Sequence, residues 1–378
     1  MTGHDLMTKS VAAIRLRRDD LISHDLTTRG AAALRLRRED LVRVISFIIV
    51  LLVCVVSLVT MASAPGWGGT HALLGIHEAP TAKTNSAPLT VDQAKKILTR
   101  AFTAAYLGET TTGEAANADL MTAYTSEGLR AANAQVKLAS VQPAASASPL
   151  LAPHPTLLAV SRGFGFPRFI VAQTLASEGG LPTLHLLISP DASTPYRICM
   201  SVEMVPPATI TPFDHLSQGS PLVTSGTGLA VAPATLLKLY AAQMVFPAKN
   251  IPKLPFAADS FASQLQVGAA GVAQAVSPQA TFAQVHKVVP NSVYALRQAS
   301  GDALVFGVME RTDSFGVKPD QNVNTAANKA FVLLTGKKVI TKAASITTLE
   351  FVVFAVPRSS GQATLVAARE QIVAGSGS

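Results

Sequence analysis

From Val44 to Met61 the chain runs eighteen consecutive residues without a charge, and thirteen of them are Val, Ile, Leu or Phe. At insertion energies of roughly −0.3 to −0.6 kcal/mol each, those thirteen contribute about −4 to −8 kcal/mol. Ser46, Cys54 and Ser57 are too mild to reverse that sum. A helix of this length reaches about 27 Å, close to the ~30 Å hydrocarbon core of a bilayer. The stretch, extended to residue 64, is therefore predicted to be a transmembrane helix. Arg35, Arg37, Arg38 and Arg43 precede it, whereas the first Lys or Arg beyond it is Lys83. The positive-inside rule then predicts a cell-membrane, single-pass protein with a cytoplasmic N-terminus and an extracytoplasmic C-terminal domain. A cleaved signal peptide is the rival reading, because Ala62-Ser63-Ala64 fits a cleavage pattern. The 43-residue leader and the length of the apolar run argue against it.

The cytoplasmic tail, residues 1–43, is a duplication with a period of twenty: His4-Asp5-Leu6 returns as His24-Asp25-Leu26. Nine Lys/Arg stand there against six Asp/Glu, in a chain of formal net charge +8. Each copy has too little apolar surface to fold alone. With Cys54 in the membrane and Cys199 outside, no internal disulfide is expected, so the exported part relies on its core. No run of basic residues with interleaved aromatics supports nucleic-acid binding.

Residues 65–88, rich in Gly, Pro, Ala and Thr, read as a flexible tether. Thr90 with Gln93 three residues on forms a capping-box pattern, and Val91, Ala94, Leu98, Ala101, Phe102 and Ala105 then give a helix one apolar face. A second helical stretch is predicted over 113–139. The period then shortens to two, predicting strands at Thr156–Arg162, Phe169–Ala176, Thr183–Ser189 and Tyr196–Val205, the last half-buried. Residues 206–231 hold four prolines and three glycines and read as a linker. Helices at Pro233–Met244 and Asp259–Leu265 follow. Strands are then predicted at Ala280–Val288, Val293–Gln298, Ala303–Glu310, Phe331–Leu334, Thr348–Val356 and Ala363–Ile372, with a polar loop over Thr312–Asn328. The expected fold class is thus α+β: one transmembrane helix, then two tandem helix-plus-antiparallel-sheet units at 89–205 and 232–373, with a flexible 374–378.

Leu89-Thr90-Val91-Asp92-Gln93-Ala94, Phe166-Pro167-Arg168-Phe169, Tyr294-Ala295-Leu296-Arg297 and Gly301-Asp302-Ala303-Leu304-Val305-Phe306 resemble a family of uncharacterised actinobacterial envelope proteins. Its members are membrane-anchored or lipoprotein ectodomains built on a domain of unknown function. The resemblance runs from about Leu89 to Ile372 and brings no catalytic residues with it. The order of helices and curved sheets also resembles the nuclear transport factor 2-like (cystatin-like) fold, an architectural likeness only.

No nucleotide, metal or hydrolase motif is present, so no catalytic, cofactor or metal-ligating residue is predicted. The histidines beyond residue 64, at 71, 77, 154, 185, 215 and 286, are scattered. His185 could face a cavity with Ser189 and the Arg197/Glu203 strand, although a solvated sheet surface is the plainer reading. Phe164 to Phe169 forms an aromatic and arginine cluster of the kind that anchors protein interfaces or caps a core. The function expected is a non-catalytic scaffold that binds another envelope protein. The alternative is an extracytoplasmic module for a lipid or other apolar small molecule.

Overall fold

The computed structural model describes residues 85–141, 155–175, 181–248 and 254–378. The expected membrane helix and the duplicated tail lie outside these residues. Among the described residues no helix is long and apolar enough to cross a membrane. The expected architecture is corrected in that respect, and the observed fold is α+β with antiparallel sheets.

Helix α1 (Val91–Thr110) starts at the capping box: Gln93 N donates to Thr90 Oγ1 (3.2 Å), and Thr90 N donates to Gln93 Oε1 (2.9 Å). The predicted second helix is two, α2 (Glu114–Ala123) and α3 (Ser126–Leu138). They break at Tyr124, which is extended and bridges to Ile198, while Thr125 N donates to Ile198 O. Strands β1 (Thr156–Val160), β2 (Arg168–Thr174), β3 (Thr183–Ser189) and β4 (Arg197–Glu203) then form an antiparallel sheet in sequence order.

After residue 231 come α4 (Pro233–Gln243) and α5 (Ser260–Val276). Asp259 joins the two helices, accepting from Ala262 N (2.8 Å) at the start of α5 and from Tyr240 Oη (3.0 Å) on α4. Strands β5 (Ala280–Val288) and β6 (Tyr294–Arg297) both pair with β7 (Ala303–Val317). A small excursion follows: β8 (Val323–Asn324), α6 (Lys329–Thr335) and β9 (Val339–Ile340). Strands β10 (Ala343–Val356) and β11 (Thr364–Gly377) complete the sheet, ordered β11-β10-β7-β5 with β6 on β7.

Helices followed by a sheet do occur twice, and the two sheets lie within one compact unit. The reason is the apolarity of the first sheet. All seven residues of β3 are buried, so a single helical cover leaves its other face unprotected. That inner face packs on the second sheet: Phe169, Leu186 and Val202 share one core with Phe306, Val308, Phe351 and Val353. On the outer side of the first sheet, Leu98, Phe102 and Tyr124 cover Ile170, Leu187 and Ile198. Leu236, Leu237 and Tyr240 cover Val305, Val352 and Phe354 on the second. The result is four layers, helix-sheet-sheet-helix, in which each large buried side chain stabilises by roughly 1.5–3 kcal/mol.

Cys199, on the strand expected to be half-buried, is enclosed in the shared core and donates to Leu186 O (3.2 Å). Burial pushes its thiol well above the ordinary range, so it stays protonated. The 206–231 segment straps the sheet edges together. Arg162 N and Ser220 N exchange bonds with Ser220 O and Val160 O, while Val223 N donates to Ala295 O and Arg297 N to Pro221 O.

Candidate partner-binding groove

The β1–β2 connection carries the aromatic cluster singled out in the sequence. Ser161 closes its base, its Oγ accepting from Phe169 N (2.9 Å) while its own N donates to Phe169 O (2.9 Å). Arg162 ties the base to the strap, donating to Asp214 Oδ2 (2.8 Å) and Gly219 O (2.9 Å). At the tip, the Arg168 guanidinium donates to Phe164 O (2.5 Å) and stacks on the Phe166 ring, 4.1 Å from its centroid. The arginine is thereby held in one orientation, and Phe164 and Phe166 remain 37% and 38% exposed. Such a loop loses little side-chain freedom on binding, because much of it is already lost.

Beside the loop lies an open groove of about 440 Å³. Phe169 and Tyr294 form its floor, their rings packed at 5.1 Å between centroids. Pro167, Leu222, Val223 and Pro233, the last at the first turn of α4, also line it. Burial pushes the Tyr294 phenol up to about 12, so it remains a hydrogen-bond donor across the physiological range. The surroundings are apolar with dipolar rim groups (Thr224, Ser225, Asn291) and no charged lining residue. Chemically the groove offers apolar contact and one phenol, a composition suited to recognising protein side chains.

A second groove of about 690 Å³ borders β1, an edge strand of the first sheet, and is lined by Leu158, Met204, Ile210 and Phe213. Under the first helical layer, by contrast, the space lined by Tyr124, Gln135 and Arg369 is only about 10 Å³, the room of one water molecule.

His185 does not meet the residues grouped with it in the sequence. It is wholly buried, with Nε2 2.9 Å from Thr174 Oγ1, Nδ1 2.9 Å from Ser201 Oγ and Phe102 edge-on at 4.8 Å. Burial, assisted by the nearby Arg369 charge, lowers its pKa to about 3, so the ring is neutral. Ser189 donates instead to the Thr194 carbonyl (2.7 Å), and Arg197 and Glu203 occupy opposite ends of β4. His215 is exposed beside Ser217, while residues 71, 77 and 154 lie outside the described residues.

The polar cluster that sequence reasoning missed spans four strands on the helix-facing side of the second sheet. His286 Nδ1 is 2.8 Å from Glu350 Oε2, and Gln284 Nε2 is 2.7 Å from His286 Nε2. Arg311 donates to Glu350 Oε1 (3.3 Å), Asp313 Oδ2 (3.2 Å) and Glu370 Oε1. Burial holds the Asp313 and Glu370 carboxyls above the usual carboxylate range, with Arg311 opposing that rise. Because the Gln284 amide also donates to Met244 O (3.2 Å), it acts as donor to His286 Nε2. The proton then sits on Nδ1, toward Glu350. With both nitrogens occupied and the side chain enclosed, this histidine positions β5 against β10. Among the described residues no group of three His, Cys, Asp or Glu side chains could hold a metal ion.

Residues 89–377 match a domain of unknown function, DUF8094. No curated protein and no solved structure matches the chain.

Proposed function

The chain belongs to the family of the domain of unknown function DUF8094, and on that premise we propose that its folded part is a non-catalytic module that binds another protein. The reading rests on two neighbouring features, the preset Arg168 stack on exposed Phe166 in the β1–β2 connection and a 440 Å³ apolar groove lined by the adjoining Pro167 and Phe169. Exposed aromatics and arginine around an apolar centre are the side chains that dominate interface energetics. The closed core under the first helical layer, with room for about one water, favours a surface function over an enclosed ligand.

The proposal extends to the setting expected from the sequence, an actinobacterial envelope protein acting on the extracytoplasmic side of the cell membrane. It includes the finer likeness of each helix-covered sheet to the nuclear transport factor 2-like fold. The 690 Å³ groove beside β1 supports the second reading, an apolar small molecule held against Leu158, Ile210 and Phe213.

Crosslinking in intact cells followed by mass spectrometry separates the two. The binding module predicts reproducible crosslinks from residues around 164–169 and 291–295 to one or a few proteins, lost on combined Phe164→Ala and Phe166→Ala substitution. Crosslinks only within the chain, together with a lipid extracted from the purified protein, would overturn it in favour of the apolar ligand.

A further inference from the structure

The excursion between β7 and β10 concentrates the protein's positive charge. Residues 318–342 hold five lysines (318, 329, 337, 338 and 342) against the single acid Asp320, a surplus of four in a chain of formal net charge +8. Lys318 Nζ is bonded to Ser277 O (2.5 Å) at the end of α5. The other four lysines are exposed, and none is in an ion pair among the described residues. Two large aliphatic side chains are exposed among them, Leu333 at 40% and Val339 at 48%. Lys329 and Leu333 are four apart on α6 and so share a face; Lys337 and Lys338 immediately precede Val339 at the start of β9.

The lysines are carried on a fixed frame. Thr325 binds the opposite arm twice, N to Lys338 O (2.8 Å) and Oγ1 to Lys337 O (2.9 Å). Asn328 Oδ1 caps α6 at Phe331 N (3.0 Å), and Gly336 ends it in the left-handed conformation, φ 70°. Beneath, β11 presents glycines where the excursion packs. A Cβ at Gly377 would lie 2.4 Å from Ile340 Cδ1, and one at Gly375 would lie 3.1 Å from Thr335 Cγ2.

We propose that this tip docks on the anionic headgroups of a lipid bilayer. Charge complementarity selects an anionic occupant. The interspersed Leu333 and Val339 select one with an apolar layer beneath its charges. Compact ammonium charges suit a diffuse field of headgroups and lack the planar fork that reads individual carboxylates or phosphates. Nucleic acid is the poorer fit, since the aromatic of the excursion, Phe331, is buried and offers bases nothing to stack on. The tip follows Val317, whereas the groove floor is built on β6, paired with β7 at Ala303–Phe306. Membrane contact and partner binding thus use opposite ends of the same strand.

The test uses the full chain carrying Cys54→Ser, Cys199→Ala and Leu333→Cys, labelled at residue 333 with a polarity-sensitive fluorophore. Such a label reports the environment of the tip whatever the rest of the chain does. Vesicles of phosphatidylcholine with phosphatidylglycerol should shift the emission to the blue, and high salt should reverse the shift. Pure phosphatidylcholine should leave it unchanged. Replacing Lys337 and Lys338 with Gln should weaken apparent vesicle affinity by roughly 25-fold, about fivefold per charge, and Lys→Arg at the same positions should preserve it. An absent shift, an equal shift on pure phosphatidylcholine, or a shift with duplex DNA or polyglutamate but not with vesicles would each overturn the proposal.

Discussion

Glu350 and Glu370 stand directly opposite each other on β10 and β11, and a single nitrogen of Arg311, on the far side of β10, reaches a carboxylate oxygen of each. Like charges directly across a ladder destabilise it, so the arginine is what makes this register tolerable. Glu350 is fully enclosed and also receives His286, whereas Glu370 is partly exposed.

Replacing Arg311 with Met keeps volume but leaves the opposed carboxylates without their bridge. Stability at neutral pH is expected to fall by about 3–5 kcal/mol, the cost of breaking a buried pair from one side. Chemical denaturation of the purified protein measures it. Adding Glu370→Gln in the same background should recover part of the loss. An unchanged midpoint for the single variant would show that the bridge is not structural.

His185 makes a signed prediction about acid. Its folded pKa of about 3 lies below the ordinary histidine value, so between pH 6.5 and 3 the unfolded chain binds a proton that the folded chain refuses. Stability is therefore lost as pH falls through that window, with a slope of up to about 1.4 kcal/mol per pH unit from this residue. Asp313 and Glu370, whose folded pKa values are raised, act in the opposite sense, gaining stability as pH falls toward the carboxylate range. Comparing wild type with His185→Gln from pH 7 to 5 isolates the histidine. The variant should have the flatter profile, and identical slopes would contradict the buried neutral ring.

Gly307 marks a close approach of α4 to the second sheet: a Cβ there would sit 2.3 Å from Leu237 Cδ1. Gly307→Ala is expected to destabilise by about 1–3 kcal/mol through overpacking. Leu237→Ala alone should also destabilise, by about 2–5 kcal/mol, by leaving a cavity. Combined, the two should cost less than their sum, and strict additivity in thermal or denaturant melts would refute the contact.

The elements with one strong period were legible. Thr90 and Gln93 announce α1, and Tyr196 to Glu203 alternates as a strand, although that strand is buried on both faces because the second sheet covers it. The short run Phe331–Leu334 reads as a strand by composition, yet it is the core of α6, and Asn328 and Gly336 on either side were its helix caps. Residues 312–317 read as loop because Arg311 and Asp313 look solvent-seeking. They continue β7, since Arg311 pairs with Asp313 and also with Glu350 and Glu370, which lie on strands far later in the chain. Nothing local encodes that partnership, and the same holds for the groove. The 164–169 cluster is visible in sequence, but its floor needs Tyr294 and its wall Pro233, brought beside it by the strap.

The central claim concerns that groove, and one measurement addresses it most directly. A photoreactive phenylalanine analogue placed at residue 166 is irradiated in intact cells, with the same analogue at exposed Thr281 on β5 as the control. The binding-module reading predicts a discrete adduct of higher mass from position 166, absent from 281 and abolished by Arg168→Ala. No adduct from 166, or the same adducts from both positions, would contradict it.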